Sequence, residues 1–263
     1  MYVKEYGQGD RLFVALHGWG GSHREFAPLA SRLPQNGRLL SFDLPGYGAS
    51  PKPDLWELDA VAANVEQELE RRIGQQPRTL IGFCSGNIFP MLLAEQKPET
   101  VERIVMIDPF ASVPWYFRIF LWGEFGRRAY SATFQSRAGR AVTDWVIRRV
   151  QKQNESFTAA FRDIDHDVVR RYLKLFNKVD VRRFKDLGVA IDLIYGESTF
   201  REVRQSVTRL GELWPHARKI ILRDVGHLPL IKGARQIASV VFDQESGRTR
   251  QCRRSDAAEA CEP

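Results

Sequence analysis

Thr79-Leu80-Ile81-Gly82-Phe83-Cys84-Ser85-Gly86 runs from a short apolar stretch into the helix-like segment Asn87-Ile88-Phe89-Pro90-Met91-Leu92-Leu93-Ala94-Glu95-Gln96. The form is Gly-x-Cys-x-Gly between a strand and a helix. A strand that turns abruptly into a helix forces the central residue of the turn into a strained conformation. The residues two positions away on either side approach so closely that only small side chains fit there. With Cys84 at the apex both flanking positions are glycine; with Ser85 at the apex they would be Phe83 and Asn87, which are too large. Cys84 is therefore the candidate nucleophile, raised above the sheet at a helix N-terminus that favours negative charge. The alternative role for such a residue is an inert buried cysteine.

The rest of the first hundred residues fits a sheet around this turn. Arg11–Leu16, Arg38–Phe42, Arg78–Gly82 and Val101–Ile107 predict strands, and Ala190–Tyr195 and Arg218–Leu222 predict two more. Helical periodicity runs between them, as in Leu58–Ile73. Strands alternating with helices predict a mostly parallel sheet covered on both faces, with sites at the carboxyl ends of its strands. Residues 113–185 contain no convincing strand. They are aromatic first, then basic and amphipathic, which predicts a helical insertion between core segments 1–112 and 186–243. Residues 244–263 are polar and aperiodic, which predicts a disordered tail.

Two further motifs follow predicted strands. His17-Gly18-Trp19-Gly20-Gly21 is a glycine-rich loop whose backbone N–H groups can face an oxyanion; the N–H groups of Trp19 and Ser85 are the expected pair. A tight turn would use the same glycines, and the loop lacks the Gly-x-Gly-x-x-Gly dinucleotide pattern. Asp224-Val225-Gly226-His227 places a histidine after the last strand, where it can reach back to the nucleophile as acid and base. His17 belongs to the glycine loop. His23, His166 and His216 lie in polar or helical contexts.

These motifs, with Asp43-Leu44-Pro45-Gly46-Tyr47-Gly48-Ala49-Ser50, resemble the α/β-hydrolase superfamily over roughly residues 10 to 243, and residues 113–185 resemble its variable cap. The resemblance implies an α/β-hydrolase fold, a catalytic triad, and no metal or organic cofactor. It is specific for fold and much less so for substrate. Two departures stand out. The superfamily usually carries serine at the elbow; cysteine there is similar to dienelactone hydrolases and polyhydroxyalkanoate synthases. The usual acid position, in Gly196-Glu197-Ser198-Thr199, holds threonine. Asp108, ending the strand Val101–Ile107, is the substitute implied by members such as certain haloalkane dehalogenases, with Glu197 and Glu202 as alternatives; Asp108-Pro109 also suits a plain strand-ending turn.

Composition bounds the remaining choices. The chain has 263 residues, 43% of them hydrophobic, long enough for one large α/β domain. No apolar run of about 18 residues occurs, so no transmembrane segment is expected, and the polar N-terminus predicts a cytoplasmic protein. Three cysteines without a Cys-x-x-Cys pair and five scattered histidines give no zinc pattern. The net charge is +7, and residues 113–185 alone carry 16 Lys and Arg against 7 Asp and Glu. That excess is either a solvated helical face or a surface for an anionic partner: a carrier protein, coenzyme A phosphates or acidic lipid head groups. No nucleic-acid motif accompanies it.

A thiolate attacks activated acyl groups well, and exchange with a thioester is close to isoenergetic. The expected function is a cysteine-dependent ester or thioester hydrolase (thioesterase), or an acyltransferase, with the acyl group carried on coenzyme A or an acyl carrier protein. Trp115, Phe117 and Trp122 are expected to line the acyl channel, although aromatics of this kind also pack a cap onto its core. The competing expectations are a non-catalytic ligand-binding protein and a peripheral protein docking through its basic cap.

Overall fold

A computed structural model describes residues 1–151 and 158–243. Seven strands form one sheet: β1 Val3–Gly7, β2 Arg11–Leu16, β3 Gly37–Phe42, β4 Arg78–Phe83, β5 Val101–Ile107, β6 Ala190–Gly196 and β7 Arg218–Leu222, in the order β1-β3-β2-β4-β5-β6-β7. All neighbours are parallel except β1, which pairs antiparallel with β3. Six of these strands follow the sequence expectation to within a residue at each end. β1 was not expected, because a half-exposed edge strand carries polar residues (Val3-Lys4-Glu5-Tyr6-Gly7) and lacks the apolar run of the inner ones.

The inner strands are apolar on both faces because both faces are covered. Leu12, Val14 and Leu16 of β2 enter one core, with Leu80, Ile104 and Met106; Phe13 and Ala15 enter the other, with Ile81, Val105 and Ile107. The first core is closed by α1 (Leu58–Ile73) and α2 (Ile88–Gln96). Helix α1 turns Val61, Val65, Leu69 and Ile73 inward. The second core is closed by the C-terminal helix Ala234–Phe242.

Between β5 and β6 the described residues are helical. They include α3 Gly123–Tyr130, α4 Arg137–Gln151 and α5 His166–Phe176. Hydrogen bonds that fasten this layer to the core include Trp19 Nε1–H to the Val169 carbonyl (2.8 Å) and the Tyr172 hydroxyl to the Pro45 carbonyl (2.9 Å). The expectation of a disordered tail over 244–263 lies outside the described residues.

The strand order reverses at β2, which has β3 on one side and β4 on the other. Beyond the carboxyl ends of β2 and β4 a crevice opens, the place where sheets of this kind bind ligands. The loop after β2 and the turn after β4 meet there. A Cβ on Gly86 would lie 2.1 Å from the His17 carbonyl oxygen, and one on Gly82 would lie 2.5 Å from Asn87 Oδ1. Gly86→Ala therefore forces backbone apart at the base of the site. The expected cost is about 1–3 kcal/mol, read as a lowered midpoint in chemical denaturation; an unchanged midpoint would show that the two loops do not press together.

Candidate active site

Cys84 sits at the turn between β4 and α2 with φ of 54°, a left-handed conformation that non-glycine residues rarely adopt. The side chain of Asn87 stitches the turn, donating to the carbonyls of Cys84 (2.8 Å) and Ile107 (2.9 Å). The sulfur is half-buried and faces a cavity of about 750 Å³. Ser85, next in the chain, also lines this cavity, and its buried hydroxyl finds no partner among the described residues.

His227, 4% exposed, lies in the cavity wall and is hydrogen-bonded to Cys84 on one side. On the other side its Nδ1 is 2.8 Å from Asp108 Oδ2. Asp108 is fully buried, at φ of 43° directly after β5. Its other oxygen accepts the Gly196 N–H at 3.1 Å. Burial by itself would lower the pKa of the imidazole. The hydrogen bonds and charges of Asp108 and Cys84 outweigh that and push it up to about 10, so His227 is held as an imidazolium at neutral pH.

Thr199, at the position after β6 where the family resemblance implied an acid, lies beside Asp108 and His227. Its hydroxyl donates to Asp108 Oδ2 at 2.7 Å, and its Oγ1 lies 3.4 Å from His227 Nδ1. The position that usually carries the acid here steadies an acid arriving from β5. Thr199→Val removes that donor while keeping the volume. Protein stability is expected to fall by about 1 kcal/mol, measured by equilibrium denaturation; a variant as stable as the parent would show the hydroxyl to be idle. The other candidate acids lie elsewhere. Glu197 Oε2 accepts the Asp224 N–H at 3.2 Å at the surface, and Glu202 lines the cavity, whereas the carboxylate hydrogen-bonded to His227 Nδ1 is that of Asp108.

The glycine loop approaches from β2. A Cβ on Gly18 would stand 3.0 Å from Cys84 Cβ and 3.2 Å from the Phe83 carbonyl oxygen, so a side chain there would press the loop away from the turn. The N–H of Trp19 makes no hydrogen bond to a described residue. The Trp19 ring is wedged among Phe117, Phe134 and Phe161, with centroids 5.1–5.5 Å apart, which keeps that N–H in place. His17 is fully buried and holds the loop's base, with Nδ1 2.8 Å from the Gly18 carbonyl and Nε2 accepting the Leu44 N–H at 3.1 Å. Burial pushes its pKa down to about 4, so it stays neutral.

Of the three cap aromatics expected at the channel, the structure brings only Phe117 to the cavity wall. Trp115 and Trp122 are 78% and 65% exposed and do not line it. The wall is completed instead by apolar residues of both layers, among them Phe83, Ile88, Phe110, Leu173 and Phe176. Trp115 departs because Pro114 and Tyr116, its neighbours, take the inward positions of that turn. Sequence reasoning also missed Glu25. Its carboxyl lies in the cavity wall and accepts the Gly18 N–H at 3.2 Å. Burial, opposed by that hydrogen bond and by His227, pushes its pKa up to about 7. Its only trace in the sequence was an acid in a helical first turn, which is commonplace.

Residues 13–240 match the alpha/beta hydrolase family, and the chain belongs to that family. Among its curated relatives are pimeloyl-[acyl-carrier protein] methyl ester esterases. That of Hamiltonella defensa is 22% identical over 257 residues, covering 92% of this chain and 95% of the relative. That of Salmonella agona is 25% identical over 245 residues, covering 88% and 92%. Similar solved structures include the enol-lactonase of Burkholderia xenovorans LB400, with a TM-score of 0.74, 18% identity and coverage of 92% and 95%. Another is Rv0554 of Mycobacterium tuberculosis, with a TM-score of 0.74, 15% identity and 92% coverage of each chain. At these identities the structural likeness speaks for the fold. Among the described residues no helix is long and apolar enough to cross a membrane.

Proposed function

We propose that the protein hydrolyses carboxylic esters or thioesters through an acyl-cysteine intermediate. The observation that carries this reading is the line Cys84–His227–Asp108 beside a large cavity; Trp19 and Ser85 also line that cavity, and their backbone N–H groups are the proposed oxyanion donors. Cys84 Sγ attacks the acyl carbon, and the carbonyl oxygen gathers negative charge facing the two N–H groups. The His227 imidazolium gives its proton to the departing alkoxide or thiolate, and the acyl group remains on sulfur as a thioester. Water then adds to the thioester carbon and yields its proton to His227. Collapse releases the carboxylic acid and returns the sulfur to the histidine. Asp108 holds the ring so that Nε2 faces the sulfur in both halves.

The mostly apolar wall suits an extended acyl chain. The esterases similar to this protein act, by their names, on a methyl ester of an acyl group held on an acyl carrier protein. We infer the same substrate class here: a short alkyl ester of a carried acyl chain. Intact-protein mass spectrometry after exposure to acyl methyl esters and acyl thioesters tests both parts. A mass increment equal to the acyl group, mapped to Cys84, is expected. Turnover with no adduct on sulfur, or an adduct on Ser85, would remove cysteine catalysis.

A further inference from the structure

Helix α5 has two working faces. Leu173 and Phe176 line the Cys84 cavity. On the opposite side Arg170, Arg171, Lys174 and Lys178 surround a second cavity of about 380 Å³ beside Trp56. Arg170 and Lys174 stack one turn apart on the helix, Arg171 stands beside them and Lys178 lies in the turn just past the helix end, so four positive charges crowd one place. Among the described residues none of the four forms an ion pair. The one acid in the wall is Asp167, leaving a clear positive excess. The neighbouring Asp165 is taken by Lys52 at 2.6 Å and by capping the helix through the Asp167 and Val168 N–H groups. The buried Nε–H of Arg170 finds no acceptor among the described residues, although a buried donor left unmade is costly. The guanidinium of Arg171 lies 5.2 Å from the Trp56 ring centroid, which holds its fork at the cavity edge.

We propose that this second cavity binds a phosphate-bearing small molecule. Convergence decides for a small anion over a plain solvated face: two arginines and two lysines line one concavity with a single carboxylate among them. Guanidinium and ammonium groups together suit phosphate oxygens, the first by bidentate pairing and the second as point charges. The site lies one helix away from Cys84, and the proposal does not depend on the chemistry there.

Isothermal titration of the full chain with inorganic pyrophosphate tests it. The expected result is saturable binding that weakens as NaCl is added. The exposed pair Lys174→Gln/Lys178→Gln should bind at least about tenfold more weakly, with an unchanged thermal midpoint showing that the fold is intact. Adenosine 3′,5′-bisphosphate distinguishes the source of the phosphate. Tighter binding than pyrophosphate, reduced in Trp56→Leu, indicates a nucleotide; equal binding indicates the phosphate alone. No saturable binding of either compound by the parent protein overturns the proposal, as does equal binding by the double variant. Acyl carrier protein that binds where both small anions fail would make this a protein-docking face and also overturn it.

Discussion

Cys84→Ala is expected to abolish acyl-enzyme formation and to lower the rate of ester turnover about a thousandfold or more. The sulfur is the atom on which the proposed reaction is divided into two steps. Without it the oxyanion N–H groups and the cavity remain, but the only nucleophile left is water. Ser85 does not rescue the variant, because its hydroxyl is one residue past the apex and the histidine is committed to position 84. Cys84→Ser keeps the geometry and exchanges a good leaving and attacking sulfur for an oxygen that needs a base to lose its proton. The change also removes one of the partners that raise the His227 pKa, and a hydroxyl is far less acidic than a thiol, so the serine variant is expected to acylate slowly. Both variants are checked by single-turnover kinetics with a chromogenic ester, alongside intact mass. An alanine variant that turns over at the parent rate would move the chemistry away from this residue.

Asp108→Asn is the second large effect, a loss of about a hundredfold or more in kcat/KM. The amide can still accept from the Gly196 N–H. If its NH2 donates to His227 Nδ1, the proton of the neutral ring is moved to Nε2, facing the sulfur, where the reaction needs an acceptor. The change also has a stability signature. In the parent the folded-state pKa of His227 is about 10, above its ordinary 6.5. A raised pKa contributes stability that is fully present below 6.5, where folded and unfolded chains are both protonated. That contribution is lost as pH rises through about 10, because the unfolded chain releases the proton first. Denaturation midpoints of the parent should therefore fall across this alkaline window more steeply than those of Asp108→Asn. Parallel curves for the two proteins would show that the carboxylate does not hold the imidazolium.

Much of this architecture was legible because its signals are local. The inner strands announce themselves as short apolar runs since both their faces are buried, and the Gly-x-Cys-x-Gly turn since any Cβ at Gly82 or Gly86 would strike backbone or Asn87. β1 was hidden for the opposite reason: an edge strand half in water needs no apolar run. The cap aromatics misled because an aromatic residue in a short helical turn carries no mark of the side it will face. Trp115 and Phe117 are two residues apart and end on different sides, one in solvent and one against Trp19.

What the amino-acid order determined by itself is the sheet-and-helix alternation, the strained apex at Cys84 and the presence of a glycine loop after β2, each marked by residues close together in the chain. Tertiary structure alone decided which carboxylate serves His227. Asp108, Thr199 and His227 are separated by 91 and 28 residues in turn and meet within 3.4 Å, because β5 and β6 are adjacent and the loop after β7 folds back over their ends. Sequence spacing carries no information about such a meeting, and an aspartate that ends a strand is chemically the same residue whether it closes a turn or holds an imidazolium. The same holds for Glu25 and for the cations around Trp56. Their properties come from burial and from the neighbours that folding supplies, since a carboxyl or guanidinium changes its behaviour only when water is removed and a partner is provided or withheld.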